Sequence, residues 1–259
     1  MTLKPNPTKN IRIVVNDKKY NRYPVKTDLF EKGTDYVTEI LKYTCKSLKE
    51  IISTHKDFPF IYYVIVSEKI IAISQGRSFF IKDIKPSKLA IFLSRFVKKT
   101  PHGIGLGSPY TMELALKEVG VLRILLASSV SVFAKLFGIS GMFYVIAGRQ
   151  AASIDGPTSY SLYPSNVSAK LAPKNPEKVA YEIFNRIKIS KEFTSDDISS
   201  TKKCVLGGVC IIDSNDLGRN VLGNSSAKPD SFFESLMRDN PMGQGREQTP
   251  IIIATEDNQ

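Results

Sequence analysis

Histidine and cysteine are scarce: the 259-residue chain has two histidines, His55 and His102, and three cysteines, Cys45, Cys204 and Cys210. Two histidines leave a His-rich metal site and most Ser-His-Asp schemes short of parts. An odd number of cysteines without metal-type spacing excludes a disulfide framework and a Cys-ligated zinc, and fits a reducing cytosol. Any metal is therefore expected on oxygen ligands. A long apolar run is missing too. A spanning helix needs about 20 mostly uncharged residues, and the best candidate, Val121 to Phe137, is interrupted by Arg123 and Lys135. The start, Met1-Thr2-Leu3-Lys4-Pro5-Asn6-Pro7, lacks the apolar core of a signal peptide. The expectation is a soluble cytoplasmic protein with no membrane partner. Repeats, heptad arrays and low-complexity tracts are also absent, which excludes solenoids and coiled coils.

Acidic residues are the minority charge, 25 Asp and Glu against 36 Lys and Arg, for a formal charge of +11. That balance favours polyanionic partners, whether nucleotide phosphates, nucleic acid or an acidic membrane surface. Part of the excess (Lys42, Lys46, Lys49, Lys98, Lys99) falls on predicted helix faces, where a solvated face is the simpler reading. An apolar fraction of 42% is ordinary for a globular protein and supplies a core for one large domain or two small ones. The chain is read as one domain over residues 1–259, with two subdomains and a break near 100–110 as its finer division.

What is present is an interleaving of strand and helix patterns. Ile11 to Val15 reads as a strand. Asp35 to Ser53 reads as a helix, because Val37, Ile40, Leu41, Cys45, Leu48 and Ile52 share a face. Phe60 to Val66, Ile70 to Ile73 and Phe79 to Ile81 are β-rich runs. Pro86-Ser87 opens a helix ending near Lys98-Lys99. Thr100 to Pro109 is a Gly- and Pro-rich loop whose G-x-G-x-G spacing is a weak phosphate signal, better read as a flap or linker. Thr111 to Val119 and Val121 to Phe137 read as helices, the second largely buried, and Phe143 to Ala147 as a central strand. Asn175-Pro176-Glu177 is a helix start, Ser190 to Lys203 a loop or exposed turn, and Val205 to Ile212 a strand in which Gly207-Gly208 marks a bulge or close backbone approach. Asp230 to Met237 reads as a short helix and Pro250 to Ala254 as the last strand. The class is α+β with mixed sheets and packed helices.

Four Gly-Arg pairs stand beside apolar runs: Gly76-Arg77, Gly148-Arg149, Gly218-Arg219 and Gly245-Arg246. With 16 glycines in 259 residues, random placement gives fewer than one such pair, so the four point to a shared task. Acidic residues accompany two of them, Asp155 after the second, and Asp213-Ser214-Asn215-Asp216 before the third. Mg²⁺ or Mn²⁺ takes one or two carboxylates plus water and substrate phosphate. Arg forks and glycine-exposed N–H groups accept phosphate. Singly, each acidic loop reads as an Asx turn; together they read as a metal-nucleotide site assembled from strand ends. No Ser or Cys has an evident His partner, and phosphoryl transfer needs none.

Lys69 to Arg77, Ala152 to Gly156, Ile212 to Arg219 and Met242 to Pro250 resemble, in order, four motifs of the coenzyme F420-0:L-glutamate ligases, most closely the shorter, ligase-like branch. The resemblance implies an intertwined α+β homodimer that joins L-glutamate by a γ-linked amide to a small-molecule cofactor carboxylate, using GTP or ATP, Mg²⁺ or Mn²⁺, and K⁺. By that likeness Asp155 is a metal ligand and the second metal position falls on Asp213-Ser214 or on Asn215-Asp216. Nucleotide contacts fall on Pro24, Val25 and Lys26, on Glu68 and Lys69, on Thr158, and on Met242, Gly243, Gln244, Gly245, Arg246, Glu247, Gln248 and Thr249. Arg219 and Lys69 offset charge in catalysis. The chain departs from the family at Ile73, where a Lys is usual, at Gln75, where a Glu is usual, and in a short stretch between Arg219 and Met242. A deazaflavin acceptor is therefore set beside a folate- or pterin-like one. The alternatives are a non-catalytic nucleotide-binding protein and an RNA-binding module; against the latter, no RNP-like run or basic and aromatic interleaving exists, so nucleic acid is not the expected partner.

Overall fold

The computed structural model describes residues 4–54, 60–97, 105–139, 141–158, 162–190, 204–216 and 218–257, with Arg149 described by its backbone alone. The chain forms two compact units, one of residues 1–75 and 174–259, the other of residues 76–173.

The first unit is built on a six-stranded mixed sheet in the order β1-β2-β8-β3-β6-β7. Its strands are β1 (Arg12–Val15), β2 (Lys18–Val25), β3 (Phe60–Ser67), β6 (Cys204–Ser214), β7 (Arg219–Asn224) and β8 (Ile251–Asp257). β3 and β6 are parallel; β8 runs antiparallel between β2 and β3. Central strands buried on both faces read as continuous apolar runs, and Phe60 to Val66 and Ile251 to Ala254 do so. Alternate residues then serve two cores. Val64, Val66, Val209, Ile211, Ile251 and Ile253 face α1 (Tyr36–Thr54) and α8 (Pro176–Ile189). Tyr63, Ile65, Cys210, Ile212, Ile252 and Ala254 face α9 (Asp230–Leu236) through Phe232, Phe233 and Leu236.

The Gly207-Gly208 expectation holds: the β3–β6 register slips between Tyr62 and Tyr63, so that Tyr62 pairs with Leu206 and Tyr63 with Gly208. A β-carbon on Gly208, at φ +154°, would run into Ser226. Pro176 opens α8 as expected, with Asn175 before it at φ +49° and no side-chain cap bond. Ile70 to Ile73 is not a strand; it lies within α2 (Glu68–Ser74), whose first turn is capped by the Ser67 hydroxyl accepting from Lys69 N–H. Four apolar residues are too short a window to separate a period of 2 from one of 3.6.

The second unit has its own core, with Leu106, Met112, Ala115, Ile124, Ala147 and Leu171 among its buried residues. A two-stranded ribbon, β4 (Ser78–Phe80) with β5 (Ser168–Lys170), accompanies α3 (Lys88–Ser94), α4 (Pro109–Val119), α5 (Val121–Leu136), α6 (Met142–Ala147) and α7 (Arg149–Ala152). α3 ends at Ser94, earlier than expected. Phe143 to Ala147 is helical, not a central strand, with Gly141 and Gly148 at positive φ bounding a six-residue turn of helix. α5 exists but is not largely buried, since only Ile124 and Ala127 are enclosed. Most of the Thr100 to Pro109 and Ser190 to Lys203 stretches lies outside the described residues.

Candidate functional site

The carboxyl ends of β2, β3 and β6 and the amino ends of β7 and β8 gather at one end of the first unit's sheet. Val25 lies opposite Ile251, Ile251 opposite Val66, Ser67 opposite Ile212, and Ser214 opposite Arg219. Segments far apart in sequence are thereby brought together: Pro24 to Lys26, Glu68-Lys69, Asp213 to Arg219 and Met242 to Thr249. The grouping follows from topology, because parallel strands present their carboxyl-end loops on the same side.

Hydrogen bonds tie these loops to one another. The Thr27 N–H donates to Gln248 C=O (3.0 Å) and the Ser67 N–H to Pro250 C=O (2.8 Å), so the 242–250 loop is laced to the ends of β2 and β3. Asp216 N–H donates to the Gln244 amide oxygen at 3.1 Å, and Asn240 Nδ2 donates to Gly243 C=O (3.0 Å), Gln244 Oε1 (3.1 Å) and Asp216 Oδ1 (3.3 Å). Thr249 Oγ1 donates to Met242 C=O at 2.8 Å and closes the loop on itself. Gly243, at φ +80°, sits where a β-carbon would meet the Glu247 side chain, and Gly245 N–H donates to Glu247 Oε2 at 2.7 Å. Gln244, Gly245 and Arg246 are exposed, while Met242 and Thr249 are buried.

The segment before β1 joins this group, which sequence reasoning missed. Lys9 Nζ lies 2.9 Å from Asp216 Oδ1, and Asn6 Nδ2 donates to Thr249 Oγ1 (2.7 Å) and Pro241 C=O (2.8 Å). The Lys9 ammonium, helped by the Asn240 amide against partial burial, holds the Asp216 carboxyl below its ordinary range. Beside it an open hollow of about 540 Å³ is lined by Lys9, Asn10, Arg12, Asn21 and Tyr23, two cations and no carboxylate. Such a lining suits an anionic ligand. No motif marks Lys9 or Asn6; the sole hint is that a polar, Pro-spaced start leads directly into a strand.

The remaining predicted residues are placed as follows. Pro24 and Val25 are buried at the end of β2 and Lys26 is exposed after it. Glu68 is buried and Lys69 half-buried in the first turn of α2. Arg219 is half-buried, and its Nη1 donates to Arg238 C=O at 2.9 Å. Asp213, Ser214 and Asn215 are half-buried at the end of β6, where the Asn215 side chain accepts from Gly218 N–H at 2.9 Å in an Asx turn. Asp155 and Thr158 belong to the second unit. There Asp155 Oδ2 stands 3.3 Å from the Nζ of Lys170, a buried lysine that no sequence signal picked out.

The Gly-Arg pairs do not share one task. Arg77 is buried, donating to Glu118 Oε1 at 2.6 Å and to Ala172 C=O, so it braces the second unit's core. Gly148-Arg149 follows a helix, not a strand. Only Gly218-Arg219 and Gly245-Arg246 stand at strand ends of the sheet.

The end of β6 carries oxygen donors of the kind a hard divalent cation takes. Asp213 and Ser214 are hard oxygen donors, and Ser214 Oγ is buried without a hydrogen-bond partner, but as consecutive residues of β6 they point to opposite faces of the sheet. To take a metal, Asp216 and Asp155 would each have to give up an ion pair with a lysine. Among the described residues no three His, Cys, Asp or Glu side chains cluster, so substrate phosphate and water would have to complete such a shell.

A family model described as F420-0:Gamma-glutamyl ligase matches residues 24–196. No curated protein matches the chain. The matched stretch contains Pro24 to Lys26, Glu68-Lys69, Asp155 and Thr158; Asp213 to Arg219 and the 242–250 loop lie beyond it.

Proposed function

The chain belongs to the F420-0:gamma-glutamyl ligase family, and from that premise we propose that it spends a nucleoside triphosphate, GTP before ATP, to join L-glutamate to the carboxylate of F420-0. One observation supports the nucleotide part of this reading: four of the segments marked in the sequence, 24–26, 68–69, 213–219 and 242–249, gather at one sheet end, laced by Asp216–Gln244 and Thr27–Gln248 hydrogen bonds.

The chemistry follows from the poor electrophilicity of a carboxylate. Transfer of the γ-phosphoryl group onto the acceptor's carboxylate oxygen gives an acyl phosphate; the glutamate amine then attacks its carbonyl carbon, forming the amide and releasing inorganic phosphate. The exposed Gln244 to Arg246 turn is the candidate phosphate contact, and its Gly245 N–H would have to leave Glu247 Oε2 to make it. Lys69, Arg219 and Lys9 supply positive charge on the same sheet end. Asp213 would supply a carboxylate to the divalent ion, which when bound would neutralise phosphate charge. The hollow between Lys9 and Arg12 is suited to the carboxylates of glutamate or of the acceptor tail.

The direct test incubates the purified chain with F420-0, L-glutamate, GTP and Mn²⁺ or Mg²⁺. The expected result is phosphate release that requires acceptor and glutamate together, with an acceptor heavier by one glutamyl unit in mass spectrometry. Hydrolysis indifferent to both, or none with either nucleotide, defeats the reading; turnover with a folate-like acceptor and not with F420-0 would correct its substrate.

A further inference from the structure

The second unit carries an apolar surface that the ligase chemistry does not use. Leu122 (84% exposed), Leu126, Val132, Phe133 (65%), Leu136 (75%) and, just beyond, Phe137 (80%) project from α5, and at 3.6 residues per turn they fall on one face. The enclosed side holds Ile124 and Ala127, and no residue of α5 beyond Ala127 is buried. Most of the large apolar residues of the helix therefore face solvent, and only Ile124 and Ala127 face inward. Single exposed apolar side chains need no explanation, but a continuous face of Leu and Phe marks a docking surface.

Charge identifies the occupant. Residues 119–154 contain no Asp or Glu, while Arg123 and Lys135 stand on the two borders of the apolar face. The second unit as a whole has twelve Lys and Arg against four Asp and Glu, so it holds eight of the chain's eleven excess positive charges. Two copies meeting through this face would set like charges together with no carboxylate to answer them. An anionic lipid surface answers them directly, since interfacial helices bury a Phe- and Leu-rich face among acyl chains while flanking Lys and Arg reach the headgroups. Spanning is a different matter. No single helix among the described residues is long and apolar enough to cross a membrane; α4 and α5 pass the length and hydropathy test only as a pair bent by 116°, and α4 is itself core, with Met112, Leu114, Ala115 and Leu116 buried. We propose that the exposed face of α5, with Phe137, lies in the surface of a membrane rich in anionic lipid. The expected absence of a membrane partner rested on spanning length, which lying on a surface does not require.

Co-sedimentation of the full chain with vesicles tests this, using phosphatidylcholine alone and phosphatidylcholine containing about one third phosphatidylglycerol. The chain is expected to pellet with the anionic vesicles and not with the neutral ones, and the bound fraction should fall as salt rises. The double substitution Phe133→Asp with Phe137→Asp should lower vesicle affinity by about tenfold or more. Lys135→Glu should lower it on anionic vesicles while leaving far-UV circular dichroism unchanged; both changes are at exposed positions. Equal pelleting with neutral and anionic vesicles, or none with either, overturns the proposal. A wild-type chain that sediments as a dimer, becomes monomeric in the double variant and ignores vesicles would assign the face to a second copy instead.

Discussion

Arg22 is a charged residue in the interior, 1% exposed, whose guanidinium is satisfied by backbone carbonyls and a carboxylate. Its guanidinium donates to the carbonyls of Leu236 (2.9 Å) and Asn10 (2.6 Å) and forks onto the Asp239 carboxylate. Burial works to raise the Asp239 pKa, and the Arg22 hydrogen bonds and charge override it, leaving the carboxyl below its ordinary range. Arg22→Met leaves two carbonyls and the partly exposed Asp239 carboxylate without their donor and should cost about 1–3 kcal/mol, read as a lower urea midpoint at unchanged slope. The sign of the pH effect follows. A depressed folded pKa gives stability that is present above the unfolded carboxylate pKa and is lost as pH falls through the folded value. Urea midpoints taken downward from neutral pH should fall in the wild type over that acidic window and fall less in Arg22→Met. At the sheet end two aspartates separate by the same reasoning. Asp216 would have to give up its ion pair with Lys9 to take a metal, and Asp213 is the other carboxylate of this loop. Asp213→Asn should lower kcat/KM by about 100-fold or more, and Asp216→Asn by less than about tenfold; the reverse order in steady-state kinetics would move the metal to Asp216.

Elements were legible where a local rule had one outcome. Pro176 opened a helix because a proline is tolerated in its first turn, and Gly207-Gly208 bulged because paired glycines in a strand admit close approach. Ile70 to Ile73 and Phe143 to Ala147 were misread for a shared reason: short apolar runs fit a buried strand and a buried helical turn equally, and only the Ser67 cap or the flanking Gly141 and Gly148 decide between them. α5 was correct as a helix and wrong in burial, since an apolar run does not say which side meets the core. A cap and a close approach give element-scale predictions. Ser108 Oγ accepts from Thr111 N–H at 3.2 Å at the start of α4, so Ser108→Ala should cost about 1 kcal/mol in chemical denaturation. In β7 a β-carbon on Gly223 would collide with the Pro176 carbonyl at the start of α8. Gly223→Ala should therefore destabilise by about 1–3 kcal/mol, and wild-type-like denaturation would mean that α8 shifts freely. The candidate site was legible as segments, from the charge and glycine they carry, but not as a place: the joining of 24–26, 68–69, 213–219 and 242–250 is set by strand order, and Lys9 and Asn6 enter it from a segment with no motif at all.

For the whole molecule, the arresting fact of chain organisation is that residues 76–173 form a unit of their own between two halves of the other. An insertion of that length stays compatible with the host sheet only if the two points where the host chain is interrupted are held at a fixed spacing. Gln75 is the last residue before the insertion and Lys174 the first after it, both within the first unit. The Gln75 amide holds them together in both directions: Nε2 donates to Lys174 C=O at 3.1 Å and Oε1 accepts from Lys174 N–H at 2.7 Å. This accounts for Gln75 as a departure from the family's usual Glu, because an ionised carboxylate accepts but cannot donate. Gln75→Glu keeps the bond from Lys174 N–H and sets carboxylate oxygen against carbonyl oxygen on the other side. It should destabilise by about 1 kcal/mol, and Gln75→Ala, which loses both bonds, by about twice that. Thermal unfolding of the three chains at neutral pH orders them: a Glu variant as stable as wild type would show that the second bond contributes nothing to closing the insertion. An Ala variant no worse than Glu would show that the Oε1 bond alone contributes nothing beyond it.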